Sequence, residues 1–254
     1  MSLDTRLVNT DGIILRRSDC GEADRLLVVY TQSKGKIRAL AKGARKIGSR
    51  KVGHLEPFAS SKLMLTESNS DFWMISQAET TNPKGNMRGS LLRIAYASLV
   101  SEIADRITSE DGPNPDLFRL LSETLDRIES ECDPEMALLF FVLRSLKVSG
   151  FDPELKNCVK CGVEITPDNQ FFAPSDGGVA CKSCGVHDQY ARAITMETLK
   201  YLRHIQRTLF SKLQNIHLTP SLVTGIESHI FSLLETLFEG HLHSLNFLKR
   251  IRGY

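Results

Sequence analysis

Two short cysteine pairs, Cys158-Val-Lys-Cys161 and Cys181-Lys-Ser-Cys184, stand nineteen residues apart in a chain of 254 residues. Each pair offers two sulfurs from one tight turn, and two such knuckles at this separation suit a tetrahedral zinc site. Gly162 and Gly185 follow the second cysteine of each pair and relieve the backbone there. The segment between them, with Phe171-Phe172 and then Gly177-Gly178, can form a small hairpin across the metal. Four sulfurs close the coordination shell. The expected role is therefore structural, with Cys158, Cys161, Cys181 and Cys184 holding one zinc ion. A disulfide pair would need an oxidising compartment, and a thioredoxin-like redox pair would need a single motif opening a helix in a βαβ unit. Both are weaker readings of this context. His187 could replace one cysteine, although a lone surface histidine is the simpler reading. Cys20 and Cys132 have no partner in the sequence and read as ordinary thiols.

Charge is distributed unevenly. The whole chain carries 32 Lys+Arg against 30 Asp+Glu, a formal net of +2. Residues 1–52 hold 12 basic and 5 acidic residues, a net of +7, which leaves −5 for residues 53–254. From Lys34 to Lys51 there are eight basic residues (Lys34, Lys36, Arg38, Lys42, Arg45, Lys46, Arg50 and Lys51) and no acidic one. Such a run can simply be a solvated face. Spacing favours a polyanion instead. Lys34, Lys36 and Arg38 recur at every second residue, so an extended strand points all three to one side. A row of this kind can meet the phosphates of a nucleic-acid strand and release their counterions.

Residues 7–80 read as five short strands: Gly12–Arg16, Arg25–Thr31, Lys36–Ala41, Phe58–Thr66 and Phe72–Gln77. Ser33-Lys34-Gly35 makes a tight connection between the second and third, and Glu67-Ser68-Asn69-Ser70-Asp71 a turn between the last two. Five strands in about seventy residues, with a basic segment after the third, fit a small OB-type β-barrel over residues 1–80. Barrels of this type bind oligonucleotides by pairing a basic groove with aromatic stacking. Tyr30, Phe58, Phe72 and Trp73 are the aromatics available, and each serves equally as filling for the barrel interior.

After Asn82-Pro83-Lys84-Gly85 the apolar period changes from 2 to about 3.6. One stripe runs through Leu91, Leu92, Ala95, Leu99, Ile103 and Ile107, and a second through Leu117, Leu120, Leu121, Leu125 and Ile128. Asp133-Pro134 opens a third helix, from Glu135 to about Ser149, with Gly150 as its stop. A fourth runs from Thr195 to about Phe210, carrying Leu199, Leu202, Ile205 and Leu209. Thr219-Pro220 caps a fifth, carrying Leu222, Ile226, Ile230, Leu233, Leu234 and Leu237, with Gly240 as its stop. The fold class is thus α+β and multidomain: a five-stranded barrel over 1–80, then a helical domain over 81–254 with a zinc-binding insertion at about 155–190.

Several classes are excluded or disfavoured. The longest apolar run, Met136 to Leu143, has eight residues, far short of the roughly 20 a membrane-spanning helix needs. Asp4 and Arg6 leave no room for an apolar signal segment, so the expected compartment is the cytoplasm. Gly43-Ala-Arg-Lys-Ile-Gly48 has the glycine spacing of a phosphate loop, but Ser49 stands where lysine is required. No Gly-x-Ser-x-Gly, His-Glu-x-x-His or Gly-x-Gly-x-x-Gly occurs. The acids of residues 102–135 read as helix surface. A binding protein without catalytic residues is the expectation.

At this point the residues resemble one family, the bacterial recombination mediator RecO. The matching segments are Asp11-Gly12-Ile13-Ile14-Leu15, Glu22-Ala23-Asp24-Arg25-Leu26-Leu27, Ala41-Lys42-Gly43-Ala44-Arg45-Lys46 and Leu55-Glu56-Pro57-Phe58. Further on they are Phe141-Val142-Leu143-Arg144-Ser145-Leu146, Ser149-Gly150-Phe151-Asp152-Pro153 and Phe171-Phe172-Ala173-Pro174, ahead of the second cysteine pair. The resemblance covers nearly the whole chain and implies its zinc-containing kind. It also implies a DNA repair protein that binds single- and double-stranded DNA and anneals complementary strands without ATP. With the partner RecR, such a protein helps load RecA onto DNA coated by single-strand-binding protein. Family members bind the acidic, hydrophobic tail of single-strand-binding protein through the helical domain, for which Lys249, Arg250 and Arg252 are a guess. An RNA-binding OB and zinc-ribbon module of translation or RNA metabolism is the alternative that the residues themselves leave open.

Overall fold

The computed structural model describes residues 7–49, 51–67, 71–108, 112–130, 134–168, 170–213, 216, 218–239 and 242–253. The chain divides by packing into two compact units, Met1–Glu131 with Phe247–Tyr254, and Cys132–Asn246. The change of period near residue 80 marks where strands give way to helices. The packing division comes later, because the first two helices cluster with the strands.

In the first unit, β1 (Leu7–Cys20), β2 (Asp24–Thr31), β3 (Gly35–Ala41), β4 (Ser60–Thr66) and β5 (Trp73–Asn82) close into a barrel in the order β1-β2-β3-β5-β4. This is the arrangement expected of an OB-type barrel. Neighbours are antiparallel except for β3 and β5, whose parallel pairing of Ala39 with Trp73 and Leu40 with Met74 completes the ring. Alternation decides which side chains fill it. On β3, Gly35, Ile37, Ala39 and Ala41 are buried while Lys36, Arg38 and Leu40 lie between them on the other face. Ile14, Leu27, Val29, Ile37, Leu55, Leu63, Leu65 and Ile75 make the interior. β1 is longer than its apolar centre suggests, because it pairs with β4 through Leu7–Ile13 and with β2 through Gly12–Cys20. The two pairings overlap at Gly12 and Ile13, and a register shift between Ile14 and Arg16 just beyond bends the strand.

Two helices pack in the same unit, α1 (Leu91–Ile107) and α2 (Pro115–Glu129). Ser90 caps α1 by accepting from the Arg93 N–H, and Asn114 caps α2 by accepting from the Leu117 N–H, with Pro115 in the first helical position. Leu91 and Leu92, placed in the buried stripe by periodicity, are exposed. They occupy the first turn of α1, before the helix reaches its packing partners. Tyr30 is fully buried, its hydroxyl donating to the Asn114 carbonyl at 3.4 Å and its ring 6.3 Å from Phe118. Lys84 is buried as well, its ammonium paired with Asp126 and 3.8 Å from Glu129, both on α2. An aromatic anchor and a neutralised lysine thus hold the barrel to its helix.

The second unit is built around α3 (Pro134–Val148), whose residues from Met136 to Leu143 are all buried. A helix apolar on every side belongs at a centre. Asp133, expected to cap it, lies outside the described residues, as do Ser68, Asn69, Ser70, Cys132 and Gly240. The chain then forms β6 (Gln170–Ala173), β7 (Gly178–Ala180), the single turn α4 (Lys182–Gly185) and β8 (Arg192–Ile194). β6 pairs with both β7 and β8, so the expected hairpin is a three-stranded sheet. Helices α5 (Met196–Arg207), α6 (Phe210–Leu213) and α7 (Pro220–Leu237) pack on α3. Thr195 caps α5 and Thr219 caps α7, accepting from the Thr198 and Leu222 amides. Leu209 is exposed, because α5 stops at Arg207 and the next apolar anchor is Phe210. A last helix, α8 (His243–Arg252), opens in this unit and from Phe247 onward belongs to the first; its Leu245 and Leu248 are buried. Its short apolar pattern lay below what periodicity alone can separate from loop. No helix among the described residues is long and apolar enough to cross a membrane.

Candidate metal centre and nucleic-acid interface

The two cysteine knuckles are built by backbone hydrogen bonds. In the first, the Gly162 N–H donates to the Cys158 carbonyl at 2.8 Å, and the Cys158 N–H to the Val163 carbonyl at 2.8 Å. In the second, the Cys184 and Gly185 amides both donate to the Cys181 carbonyl, at 3.1 and 2.8 Å. Gly185 is needed for a different reason from turn geometry: a Cβ there would sit 2.5 Å from the Phe171 side chain. β6 therefore presses directly on the second knuckle.

The sulfurs of Cys158, Cys161, Cys181 and Cys184 all lie within 4.8 Å of one another, and those of Cys161 and Cys181 are 3.7 Å apart. Four thiolates at the zinc–sulfur distance around a tetrahedral centre would be about 3.8 Å apart. The four ligands expected from spacing thus converge on one point and could hold a metal ion. Their electrostatics agree. Burial pushes the Cys158 thiol up, but N–H donors from Cys181, Cys161 and Lys160 outweigh it and bring it to about 6. The neighbouring Cys181 and Cys161 sulfurs, with burial, push Cys184 up to about 12. One anion forms easily and resists the next, which is a donor set suited to a central cation. His187 is exposed, and Cys20 is exposed with no disulfide partner among the described residues.

Around the sulfurs lies an ion-pair network that spacing did not reveal. Lys160, between the first two ligands, places its Nζ 2.9 Å from Asp188 and 3.2 Å from Asp176. Asp188 also accepts from the Tyr190 amide at 2.9 Å. The Lys160 contact, followed by that amide, holds its carboxyl below the usual range.

The eight basic residues of the Lys34–Lys51 run occupy unlike settings. Lys34 is half-buried with its Nζ 5.6 Å from the centre of the Trp73 ring, a cation–π contact. Lys36 donates to the Asp105 carbonyl at 2.6 Å and lies 3.3 Å from its carboxylate. Lys51 donates to the Ile75 carbonyl at 2.7 Å. Arg38 is exposed on the outer face of β3. Arg50 lies outside the described residues. Lys42, Arg45 and Lys46 are exposed on the loop that follows β3. Arg45 reaches the Gly21 carbonyl at 3.3 Å and Asp19 at 3.5 Å.

That loop has a fixed base. Ala44 is fully buried in the barrel core, the Gly43 amide donates to Asp24 Oδ1 at 2.7 Å, and the Arg45 amide to the Ala23 carbonyl at 2.8 Å. Of the candidate aromatics, Tyr30 is buried against α2, while Phe58, Phe72 and Trp73 are half-buried. Arg16, on β1, was missed by a reading confined to the basic run. Its side chain is 71% exposed and 3.8 Å from Asp105. Arg17 and Arg25 converge on Glu56 and brace the barrel instead.

With this geometry in place, comparison with known proteins gives a consistent result. Residues 1–84 match the family model described as recombination protein O N terminal, and residues 88–246 match recombination protein O C terminal. Among curated proteins, the chain is similar to the DNA repair protein RecO of Desulforamulus reducens, 34% identical over 97% of this chain and 95% of the relative. The RecO protein of Dehalococcoides mccartyi is 32% identical over 96% of this chain and 95% of its own length. That of Roseiflexus sp. is 32% identical over 97% and 87%.

Proposed function

Because the chain belongs to the RecO family of DNA repair proteins, we propose that it is a recombination mediator that binds single- and double-stranded DNA and anneals complementary strands without ATP. The observation that carries this reading is the braced loop presenting Lys42, Arg45 and Lys46 from an OB-type barrel. Annealing brings two polyanions together. Cations that meet phosphates screen that repulsion and leave base edges free to pair. Arg38 on β3 and Lys34 in the turn before it extend the contact, and Arg50 continues it in sequence. Lys36 and Lys51 act mainly by fixing the surface, through Asp105 and the Ile75 carbonyl.

In the second unit, Cys158, Cys161, Cys181 and Cys184 would hold zinc, which cross-links the two knuckles and leaves no position open for water. Its role is to fold the segment, with no part in chemistry. The proposed partners are RecR, RecA through RecR, and the acidic tail of single-strand-binding protein. A groove of about 760 Å³ along α5 suits that tail: Met196, Tyr201 and Ile216 offer apolar surface, and Lys200, Arg203 and Arg207 offer charge. Lys249, Arg250 and Arg252 on α8 are a second candidate contact. The proposed setting is the bacterial cytoplasm, at the nucleoid.

The test is annealing of complementary strands coated with single-strand-binding protein, run without nucleotide and with or without RecR. Annealing by the pure chain, with RecA loading only when RecR is added, is the expected result. Absence of annealing, or binding of RNA far tighter than single-stranded DNA, would overturn the reading.

A further inference from the structure

The basic loop after β3 ends in an apolar tip. Ile47 is the most exposed of the large apolar side chains among the described residues, open to solvent on every side. Its position is set by the backbone. The Ser49 amide donates to the Lys46 carbonyl at 3.0 Å, closing a four-residue turn. Gly48 has φ of 80°, the left-handed value that the third residue of a type II turn requires. Ile47 therefore stands at the outer corner of that turn. The Lys46 amide in turn donates to the Gly43 carbonyl at 3.1 Å, which ties the turn to the anchored base of the loop.

An isoleucine at this corner contributes nothing to the barrel. Turn corners usually take proline or small polar residues, and leaving a large aliphatic side chain in water forgoes the gain from burying it. Three exposed cations, Lys42, Arg45 and Lys46, share the loop. An occupant that satisfies both features must be anionic and must offer apolar faces beside its charges. Unpaired nucleotides do so, because phosphates alternate with exposed base faces. Duplex DNA offers the phosphates but hides the faces in its stack.

We infer that Ile47 is an apolar finger that packs against or between unpaired bases while Lys42, Arg45 and Lys46 hold the flanking phosphates. Aliphatic wedges of this kind separate base steps elsewhere. The inference rests on the DNA-binding reading above and adds a consequence: the loop tells unpaired strand from duplex. Phosphate contact alone carries no such information.

The experiment uses the full chain and a single-stranded oligonucleotide carrying 2-aminopurine, with a matched duplex in parallel. Wild type should raise 2-aminopurine fluorescence on binding. Ile47→Ala should abolish that rise and weaken single-strand binding about five- to tenfold, as expected for losing most of one aliphatic contact. Its duplex affinity should stay within about twofold, since the phosphate contacts remain, and Ile47→Leu should restore the signal. An Ile47→Ala chain with wild-type fluorescence and affinity overturns the finger while leaving the DNA reading intact. A wild-type chain that binds neither DNA form overturns both. Loss of binding to anionic vesicles in Ile47→Ala, with DNA binding unchanged, would assign the tip to a lipid surface and overturn the proposal.

Discussion

Lys160 Nζ lies 2.9 Å from the Asp188 carboxylate, joining the loop between Cys158 and Cys161 to the chain just past Cys184. The same ammonium reaches Asp176 at 3.2 Å, on the connection between β6 and β7. Together the two contacts fix the two cysteine pairs relative to each other. Outer partners of this kind commonly change metal affinity by 10- to 100-fold. Lys160→Met should bind zinc about tenfold more weakly than wild type in competition with a chelator, and Lys160→Arg should recover most of the difference. Wild-type zinc affinity in Lys160→Met would remove Lys160 from this role.

Elemental analysis of the purified chain should find one zinc per molecule. Cys158→Ser should lose it, because the buried first ligand is also the sulfur that accepts the Cys181 amide at 3.3 Å. The loss should destabilise the unit spanning Cys132–Asn246, and limited proteolysis should cut that unit first. Zinc retained by Cys158→Ser would contradict a four-sulfur centre.

His229 on α7 is buried 5.4 Å from the Phe172 ring, and its Nδ1 has no hydrogen-bond partner among the described residues. Burial, with the nearby Arg192 charge, lowers its pKa from 6.5 to about 4. The folded chain therefore keeps the ring neutral where the unfolded chain protonates it. The associated stability is complete above pH 6.5 and is lost as pH falls from 6.5 towards 4. Between pH 6.5 and 5 the loss should be about 1–2 kcal/mol. Urea unfolding of His229→Phe at pH 7 and pH 5 should show a weaker pH dependence than wild type. An equal dependence in both would place the titrating group elsewhere.

Much of this was legible in the residues. Alternation put Lys34, Lys36 and Arg38 on one side of a strand; the structure has Lys36 and Arg38 on the outer face of β3, with Lys34 in the turn before it. The cap expected at Thr219-Pro220 and the helix start expected at Thr195 both fell where the helices begin. The cysteine ligands were readable because each knuckle is local in sequence. The partners of Lys36, Lys51 and Lys160 were not readable. Asp105, the Ile75 carbonyl and Asp188 are brought to them only by the fold. Charge counting therefore treated eight cations alike, although some are spent on the protein itself. Ile47 escaped for the opposite reason: a single isoleucine carries no period, and its exposure is visible only once the turn is drawn.

The central claim, that the barrel loop meets phosphates, is tested most directly by the salt dependence of single-stranded DNA affinity. The comparison is wild type against the triple variant Lys42→Gln, Arg45→Gln and Lys46→Gln, from low to physiological salt. Each phosphate contact contributes about 0.7 to the slope of log affinity against log salt for single strands. The triple variant should therefore bind more weakly at low salt, with a slope shallower by about 2. Equal affinity and equal slope in the two proteins would contradict the assignment.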